Sequence, residues 1–395
     1  MLTKEELNKL QDTINSIEDE IISIRREIHK NPELSYRETK TAKLVSEYLR
    51  RLGYELRENV GGNGVVGLLK GQGEKVVALR ADMDALPIQE MNNVDYRSQV
   101  KGVMHACGHD AHTAILLGVA KTLALNKEML RGSIKLLFQP AEEAGGEGGA
   151  LPMIRDGALK EPKPDYIFGL HIMAELPTGV IGYRAGPLMA SPDAFLIKIK
   201  GKGGHASKPD DTIDPIFVSS QIINSIYGLR SRYVEQRKPL VISVSRIEGG
   251  TKDNIIPDEV VMEGTIRTLD ETLRRKVWEL MKKIIVSLCS TFGAICEVEI
   301  QEGYPVTIND PEVTENAIST LRENGFTTQE IDPIMGGEDM SRFLNEIPGM
   351  YYFLGTRNEQ KGIIYPNHSS RFNVDESILK TGILSLSILA LSFLR

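Results

Sequence analysis

Apolar residues at Leu7, Leu10, Ile14, Ile17, Ile21, Ile24 and Ile28 recur three or four positions apart, so the first thirty residues predict an amphipathic helix that stops before Pro32. Beyond it the period changes. The short apolar runs VVGLLKG, KVVALRADMD, SIKLLFQPAEE, DYIFGLHI and GMYYFLG alternate with helix-like stretches such as AHTAILLGVAKTLAL. That alternation predicts an α/β fold with helices on both faces of a sheet. Between about Tyr183 and Glu302 the rhythm differs again, and AFLIKIKG, DPIFVSSQIINSIYGLRSRY, LVISVSRIEGG, EVVMEGTIRT, LRRKVWELMKKIIVSLCSTF and AICEVEIQ read β-α-β-β-α-β. This is the order of a ferredoxin-like unit, complete in itself. Its flanks, YRAGPLMASPD and EGYPVTINDPE, carry glycine and proline as linkers do. The expected organisation is a first domain made of residues 1–184 and 303–395, interrupted by an inserted domain at 185–302. The final run GILSLSILALSFL is shorter than the roughly 20 residues of a membrane span and predicts a buried C-terminal helix opening near Asp375.

A length of 395 residues exceeds the usual ceiling for a single hydrophobic core, which agrees with two units. With 41% hydrophobic and 26% charged residues the chain reads as a soluble globular protein, and no membrane partner is expected. A net charge of -7 gives no general attraction to phosphate polymers, so nucleic acid is not an expected partner. Three cysteines without repeating spacing predict no disulfide framework. The charged amphipathic start is no secretory signal, and a cytoplasmic location is expected. The NHS at Asn367 to Ser369 matches a glycosylation acceptor that such a chain has no use for.

Candidate chemistry collects where the predicted strands end. KVVALRADMD ends on Asp82 and Asp84, SIKLLFQPAEE on Glu142 and Glu143, and DYIFGLHI on His171. Ligands of open α/β sheets bind outside the carboxyl ends of the strands. The stretch MHACGHDAHT adds Cys107, His109, Asp110 and His112, and holds three of the seven histidines. Any one of these residues alone reads as a buried small side chain or a polar helix start. Together with carboxylates of the same sheet they are the ligand types that zinc accepts. Adjacent carboxylates such as Glu142 and Glu143 do not both ionise cheaply without a cation, which suggests one ligand and one base for a metal-activated water. Of Asp82 and Asp84, one can ligate and the other can orient a ligand imidazole, although a turn before Pro87 explains Asp84 as well. In the inserted segment, His205 (GKGGHAS), Asn254 (DNIIPD) and Arg267 (GTIRTLD) are individually unremarkable loop and surface residues. An arginine fork is nevertheless what a substrate carboxylate requires. His29 reads as a helix C-terminal charge or a packing residue. GGNGVVG has the glycine spacing of a dinucleotide loop but precedes a strand, so it reads as a turn, and no GxSxG elbow or phosphate-binding lysine loop is present.

RADMDALP, MHACGHDAHT, FQPAEE, the LH of DYIFGLHI, GKGGHAS, DNIIPD, GTIR, GGEDMSRF and YPNHSS occur in the order seen in the zinc-dependent aminoacylase and carboxypeptidase family. The chain most resembles the subgroup of hippurate hydrolase, plant indoleacetyl-amino-acid hydrolases and a thermostable carboxypeptidase, over nearly its whole length. The resemblance implies a zinc-peptidase-like catalytic domain with a mixed sheet, interrupted by a ferredoxin-like α+β domain that dimerises and closes over the substrate. It implies one or two divalent ions per subunit, zinc first, with manganese or cobalt as alternatives. Carried over by motif, the metal ligands are Cys107, His109, Glu143, His171 and His368. Glu142 is the general base and acid, and Asp84 the orienting carboxylate. The wider family has a histidine where Asp82 stands and an aspartate bridging two metals. That departure leaves the bridging ligand open, with Asp110 and His112 as reserve ligands. His205 would reach across a homodimer to the scissile carbonyl, and Asn254 and Arg267 would hold the substrate carboxylate. The implied reaction is hydrolysis of the amide bond to an N-acylated or C-terminal amino acid. An aminopeptidase or a catalytically silent peptide-binding member are the rival readings; the latter would lack the base or a ligand.

Overall fold

The computed structural model describes residues 2–395. The chain begins with α1 (Lys4–Lys30), α2 (Thr39–Arg51), β1 (Glu55–Val60), β2 (Gly64–Leu69) and β3 (Val76–Asp82). There follow α3 (His109–Leu125), β4 (Ser133–Gln139), β5 (Tyr166–Pro177) and β6 (Ile181–Tyr183). Next come β7 (Ser191–Lys200), α4 (Pro215–Tyr233), β8 (Leu240–Glu248), β9 (Glu259–Thr268), α5 (Glu271–Thr291) and β10 (Ile295–Gln301). The chain closes with α6 (Pro311–Glu323), β11 (Thr328–Glu330), β12 (Gly349–Arg357) and α7 (Ile378–Phe393). It divides into two compact units, one of Met1–Gly186, Ile308–Asp332 and Asp339–Arg395, the other of Pro187–Thr307 and Pro333–Glu338.

In the first unit α1 forms because its apolar stripe has a core to enter: Leu10, Ile14, Ile17, Ile21 and Ile28 are buried, and Leu7 and Ile24 pack at the margin. A capping box starts it, the Glu6 N–H donating to Thr3 Oγ1 and the Thr3 N–H to Glu6 Oε2. The sheet has eight strands in the order β1-β2-β4-β3-β5-β12-β6-β11. Neighbours β4, β3, β5 and β12 run parallel, whereas β1, β2 and β6 introduce antiparallel pairs, so the sheet is mixed. Helices α1, α3 and α7 pack on one another, and α3 and α7 are apolar nearly all round because they are buried nearly all round.

Parallel pairing aligns the carboxyl ends that carry the candidate chemistry. Asp82 pairs with Gln139 at the ends of β3 and β4. Strand β5 does not end at His171, as its apolar pattern predicts, but continues to Pro177 against β12, where His171 pairs with Phe353. Its register with β3 stops at Arg80 and Gly169, so His171 still emerges past the end of β3.

The second unit contains an antiparallel sheet of four strands ordered β8-β9-β7-β10, the ferredoxin-like arrangement. Val218, Ile222 and Ile226 of α4 and Val277, Met281 and Ile285 of α5 meet Phe195, Ile197 and Met262 of the sheet in its core. The three cysteines form a single bond and no framework. Cys289 near the end of α5 and Cys296 in β10 are disulfide-bonded, with Cα atoms 6.1 Å apart. The turn at Gly293, with φ of 76°, folds the strand back beside the helix, which cysteine spacing alone does not reveal. No helix among the described residues is long and apolar enough to cross a membrane.

Candidate metal centre

Five segments of the first unit converge. Beyond β3 the chain passes Asp82 and Asp84; beyond β4 it turns through Ala141 into Glu142 and Glu143. Cys107 and His109 flank Gly108, the left-handed N-cap of α3, where φ of 91° suits glycine. His171 comes from β5. His368 lies on the loop after β12 with φ of 66°, its N–H bonded to Ala106 O at 2.8 Å.

Their side chains form overlapping groups whose ligand atoms all lie within 4.8 Å of one another: Cys107, His109 and His171; Cys107, Glu143 and His368; and His109, Glu142 and Glu143. Cys107 Sγ is 3.3 Å from both His171 Nε2 and His368 Nε2. Ligands about 2.0–2.3 Å from a common tetrahedral ion would stand roughly 3.3–3.7 Å apart. His171 Nδ1 donates to Ile172 O at 2.8 Å, so its Nε2 presents a lone pair towards Cys107. His109 Nδ1 is held by Asp84 Oδ1 at 3.2 Å. Its Nε2 is buried without a hydrogen-bond partner, 3.9 Å from Glu143 Oε1, which also stands 3.2 Å from His368 Nε2. An unpartnered imidazole nitrogen facing a carboxylate oxygen, beside a thiol and two further imidazoles, fits a divalent cation.

The electrostatics agree. Burial, with the charges of Glu143, Glu142 and Asp82, pushes the Cys107 thiol far above its ordinary range. Burial and the neighbouring His112 hold His171 well below the usual histidine range. Burial works to lower His109 too, but Asp82 and Asp84 outweigh it and push the imidazole up to about 10. Protein groups alone therefore disfavour the thiolate and favour a charged His109; a cation inverts both preferences.

Asp84 is the hub of this arrangement. Its Oδ1 accepts the Glu142 N–H at 3.1 Å, and its Oδ2 the Glu143 N–H at 2.9 Å and the Ser35 hydroxyl at 2.6 Å. One carboxylate thus orients His109 and grips the backbone of both glutamates. Asp82, 3.8 Å from His109 Nε2, is spent on Arg80 Nη1 at 2.7 Å and His112 Nδ1 at 2.6 Å.

Of the reserve ligands, His112 stands in a further such group with Asp82 and His109 but is engaged in hydrogen bonds, and Asp110 lies outside these groups. His112 uses both nitrogens, Nε2 accepting the Ile172 N–H at 2.8 Å. Asp110 turns away into a buried charge cluster, 2.7 Å from Arg25 Nε and 2.8 Å from His29 Nδ1. His29, in the last turn of α1, is more than a helix-end charge: it is 1% exposed and also faces Glu90 Oε1 at 3.3 Å. In the second unit, His205 and Asn254 stand together on a two-stranded ribbon in which His205 pairs with Ile255 and the Ala206 N–H bonds to Asn254 O. Arg267 is on β9, with Nη1 donating to Met335 O at 2.8 Å.

Sequence reasoning missed the support beneath the site. Arg80 Nη2 donates to Asp339 Oδ1 at 2.9 Å and Nε to Gln139 Oε1 at 2.8 Å. Asp339 also accepts the N–H groups of Gly149 and Ala150, and so ties RADMD, FQPAEE and GGEDMS together. An arginine inside an otherwise apolar strand was the available signal, since a buried guanidinium demands an acid. Asn367 of the NHS triplet is a clamp as well, donating to Cys107 O at 3.2 Å and Ile172 O at 3.0 Å.

Residues 78–391 match the sequence profile of peptidase family M20/M25/M40. The chain is 55% identical over 390 residues to thermostable carboxypeptidase 2 of Saccharolobus solfataricus, covering 98% of each. It is 43% identical over 329 residues to an N-acyl-L-amino acid amidohydrolase of Geobacillus stearothermophilus, covering 82% of this chain and 87% of that protein. Among solved structures, the YxeP protein of Bacillus subtilis, described as a dinuclear metal binding peptidase, superposes with a TM-score of 0.84 at 34% identity, covering 96% of this chain and 99% of that one.

Proposed function

Because this chain belongs to peptidase family M20/M25/M40, we propose that it hydrolyses the amide bond between an acyl or peptidyl group and an amino acid whose α-carboxylate is free. The observation that carries this reading is Cys107 Sγ standing 3.3 Å from two imidazole nitrogens, beside the unpartnered His109 Nε2 and the Glu143 carboxylate. Cys107, His109, Glu143, His171 and His368 would hold the metal, and Cys107 belongs to two of the groups, as a ligand shared by two ions would. Thiolate and imidazole favour zinc, with manganese and cobalt as alternatives. A divalent ion, when bound, polarises the scissile carbonyl and lowers the pKa of water to about 7.

The chain's own residues do the rest. Glu142 accepts the proton of the attacking water and returns it to the leaving amine. Asp84 sets the His109 tautomer and the direction of Glu142. The Ser207 N–H donates to His205 Nδ1 at 3.1 Å, which puts the ring proton on Nε2, a donor suited to a developing oxyanion. Arg267 and Asn254 bind the substrate carboxylate. In this reading the second unit forms a homodimer or larger homo-oligomer, and full activity depends on that assembly in the cytoplasm. The test is purified protein, stripped of metal and reloaded, on a panel of acyl-amino acids and blocked dipeptides. Activity should vanish and return with metal, and Glu142→Gln should lower it by about 100- to 10,000-fold, leaving a measurable residue. Wild-type turnover in Glu142→Gln refutes the mechanism. An unchanged KM for acylated substrates in Arg267→Ala refutes the carboxylate contact and reopens the aminopeptidase alternative.

A further inference from the structure

The loop that carries Glu142 is held by a residue from the other end of the unit. Glu38 is 0% exposed, and its Oε1 accepts two backbone N–H groups, from Tyr36 at 2.8 Å and from Ala141 at 2.9 Å. Both donors are non-glycine residues in the left-handed region, with φ of 62° at Tyr36 and 55° at Ala141. Such backbone persists only where its surroundings enforce it. Ala141 immediately precedes Glu142, so the strained peptide that Glu38 grips aims the proposed base.

A role in the helix does not account for Glu38. It occupies the N-cap position of α2, yet its side chain makes no capping bond. Glu33 does that work instead, accepting the N–H groups of Lys40 and Thr41 and the Thr41 hydroxyl. The Glu38 carboxylate is left for the loop, and its Oε2 is fixed by Asn63 Nδ2 at 3.0 Å. The glycine-rich GGNG turn thereby acquires a purpose: it presents Asn63. The neighbouring residues close the same seam, with Ser35 bonded to Asp84 and the Tyr36 hydroxyl donating to Gly148 O at 2.9 Å.

The geometry points to Glu38 as the positioning residue for Glu142, an acceptor that holds Ala141 left-handed so that the base faces the reacting water. This rests on the metallohydrolase reading above. The experiment is a double-mutant cycle on the metal-loaded full chain, with kcat, KM, metal content and melting temperature measured on the same samples. Glu38→Ala should lower kcat between about 10- and 100-fold, as a base displaced by an ångström does, with KM moving less than about threefold. Metal content should be unchanged. Glu38→Gln keeps an oxygen for both N–H groups once Asn63 flips its amide, and should restore most of the loss.

The deciding measurement is Glu38→Ala combined with Glu142→Gln: if Glu38 acts through Glu142, the double variant is no slower than Glu142→Gln alone. A merely structural Glu38 would slow the double variant further. Should Glu38→Ala not fold, Glu38→Asp, which keeps the charge but withdraws it from Ala141, enters the same cycle. Glu142→Gln with wild-type turnover overturns the underlying reading. A Glu38 variant with kcat within about twofold of wild type, while Glu142→Gln has lost at least about 100-fold, overturns this inference alone.

Discussion

Replacing Asp84 by asparagine preserves the size of the side chain but leaves it one acceptor short. In the native chain Oδ1 accepts from His109 Nδ1 and the Glu142 N–H, and Oδ2 from the Glu143 N–H and Ser35 Oγ. Either orientation of the amide points its NH2 group at a backbone N–H. With the nitrogen on the Ser35 side the hydroxyl can rotate to accept, so the smallest loss is the Glu143 bond, together with the charge behind the other bonds. Hydrogen bonds to a charged group contribute about 1.5–3 kcal/mol each and neutral ones about 0.5–1.5. One bond lost and two weakened amount to roughly 3 kcal/mol, close to a 100-fold change. The loss should fall on kcat, because both glutamates and His109 lose their orientation, while KM, set by groups elsewhere, should change less than about threefold. The assay is steady-state kinetics on an acylated amino acid with metal content measured on the same preparation. Asp84→Asn retaining kcat within about threefold of wild type at full metal content would refute the role given to this carboxylate.

Three further outcomes follow from other parts of the chain. Gly108→Ala should destabilise the chain by about 1–2 kcal/mol in urea unfolding, because φ of 91° is left-handed while the nearest atoms, at 3.4 Å, leave room for the methyl; a neutral result would mean that the α3 cap is not under this constraint. Burial and Arg25 work to lower the His29 pKa, but Asp110 and Glu90 outweigh them and raise it above 6.5, so its contribution is full below pH about 6.5 and fades as pH rises through the folded value; the stability lost in His29→Asn should be larger at pH 6 than at pH 9, and an equal loss at both refutes the charged pairing. Cys296→Ala, which opens the Cys289–Cys296 link, should cost about 2–3 kcal/mol in urea unfolding of the second unit, and an unchanged midpoint would show that the bond does not constrain the unfolded chain.

Much of this molecule is legible from residue order because its signals are local. The stripe from Leu10 to Ile28 has the period of a helix, and α1 buries that stripe. The runs that became β2, β3, β4 and β12 are predominantly apolar and buried along nearly their whole length, as strands covered on both faces are. The GGNGVVG run does feed a strand rather than a helix. Ligand chemistry is legible as well, since thiol, imidazole and carboxylate retain their preferences wherever they stand. Where sequence reasoning failed, the cause was partnership at a distance. His29 and Asp110 are 81 positions apart, and nothing local marks either as half of a buried pair. Arg80 and Asp339, 259 apart, belong to different motifs and act as one network. The strand through His171 runs longer than its apolar run because β12, not its own pattern, supplies its partner.

By itself, then, the amino-acid order determined the class of fold, the identity of the donors and their nearness to strand ends, through periodicity and functional-group chemistry that need no neighbours. Tertiary structure alone decided which donors face one another. It left the nitrogens of His109 and His171 aimed at Cys107 and Glu143, turned Asp110 away, engaged both nitrogens of His112 in hydrogen bonds, and made Glu38 a clamp on the loop of Glu142. The physical reason is that a buried polar atom must find a partner within about 3 Å, and only the folded register brings residues distant in sequence that close.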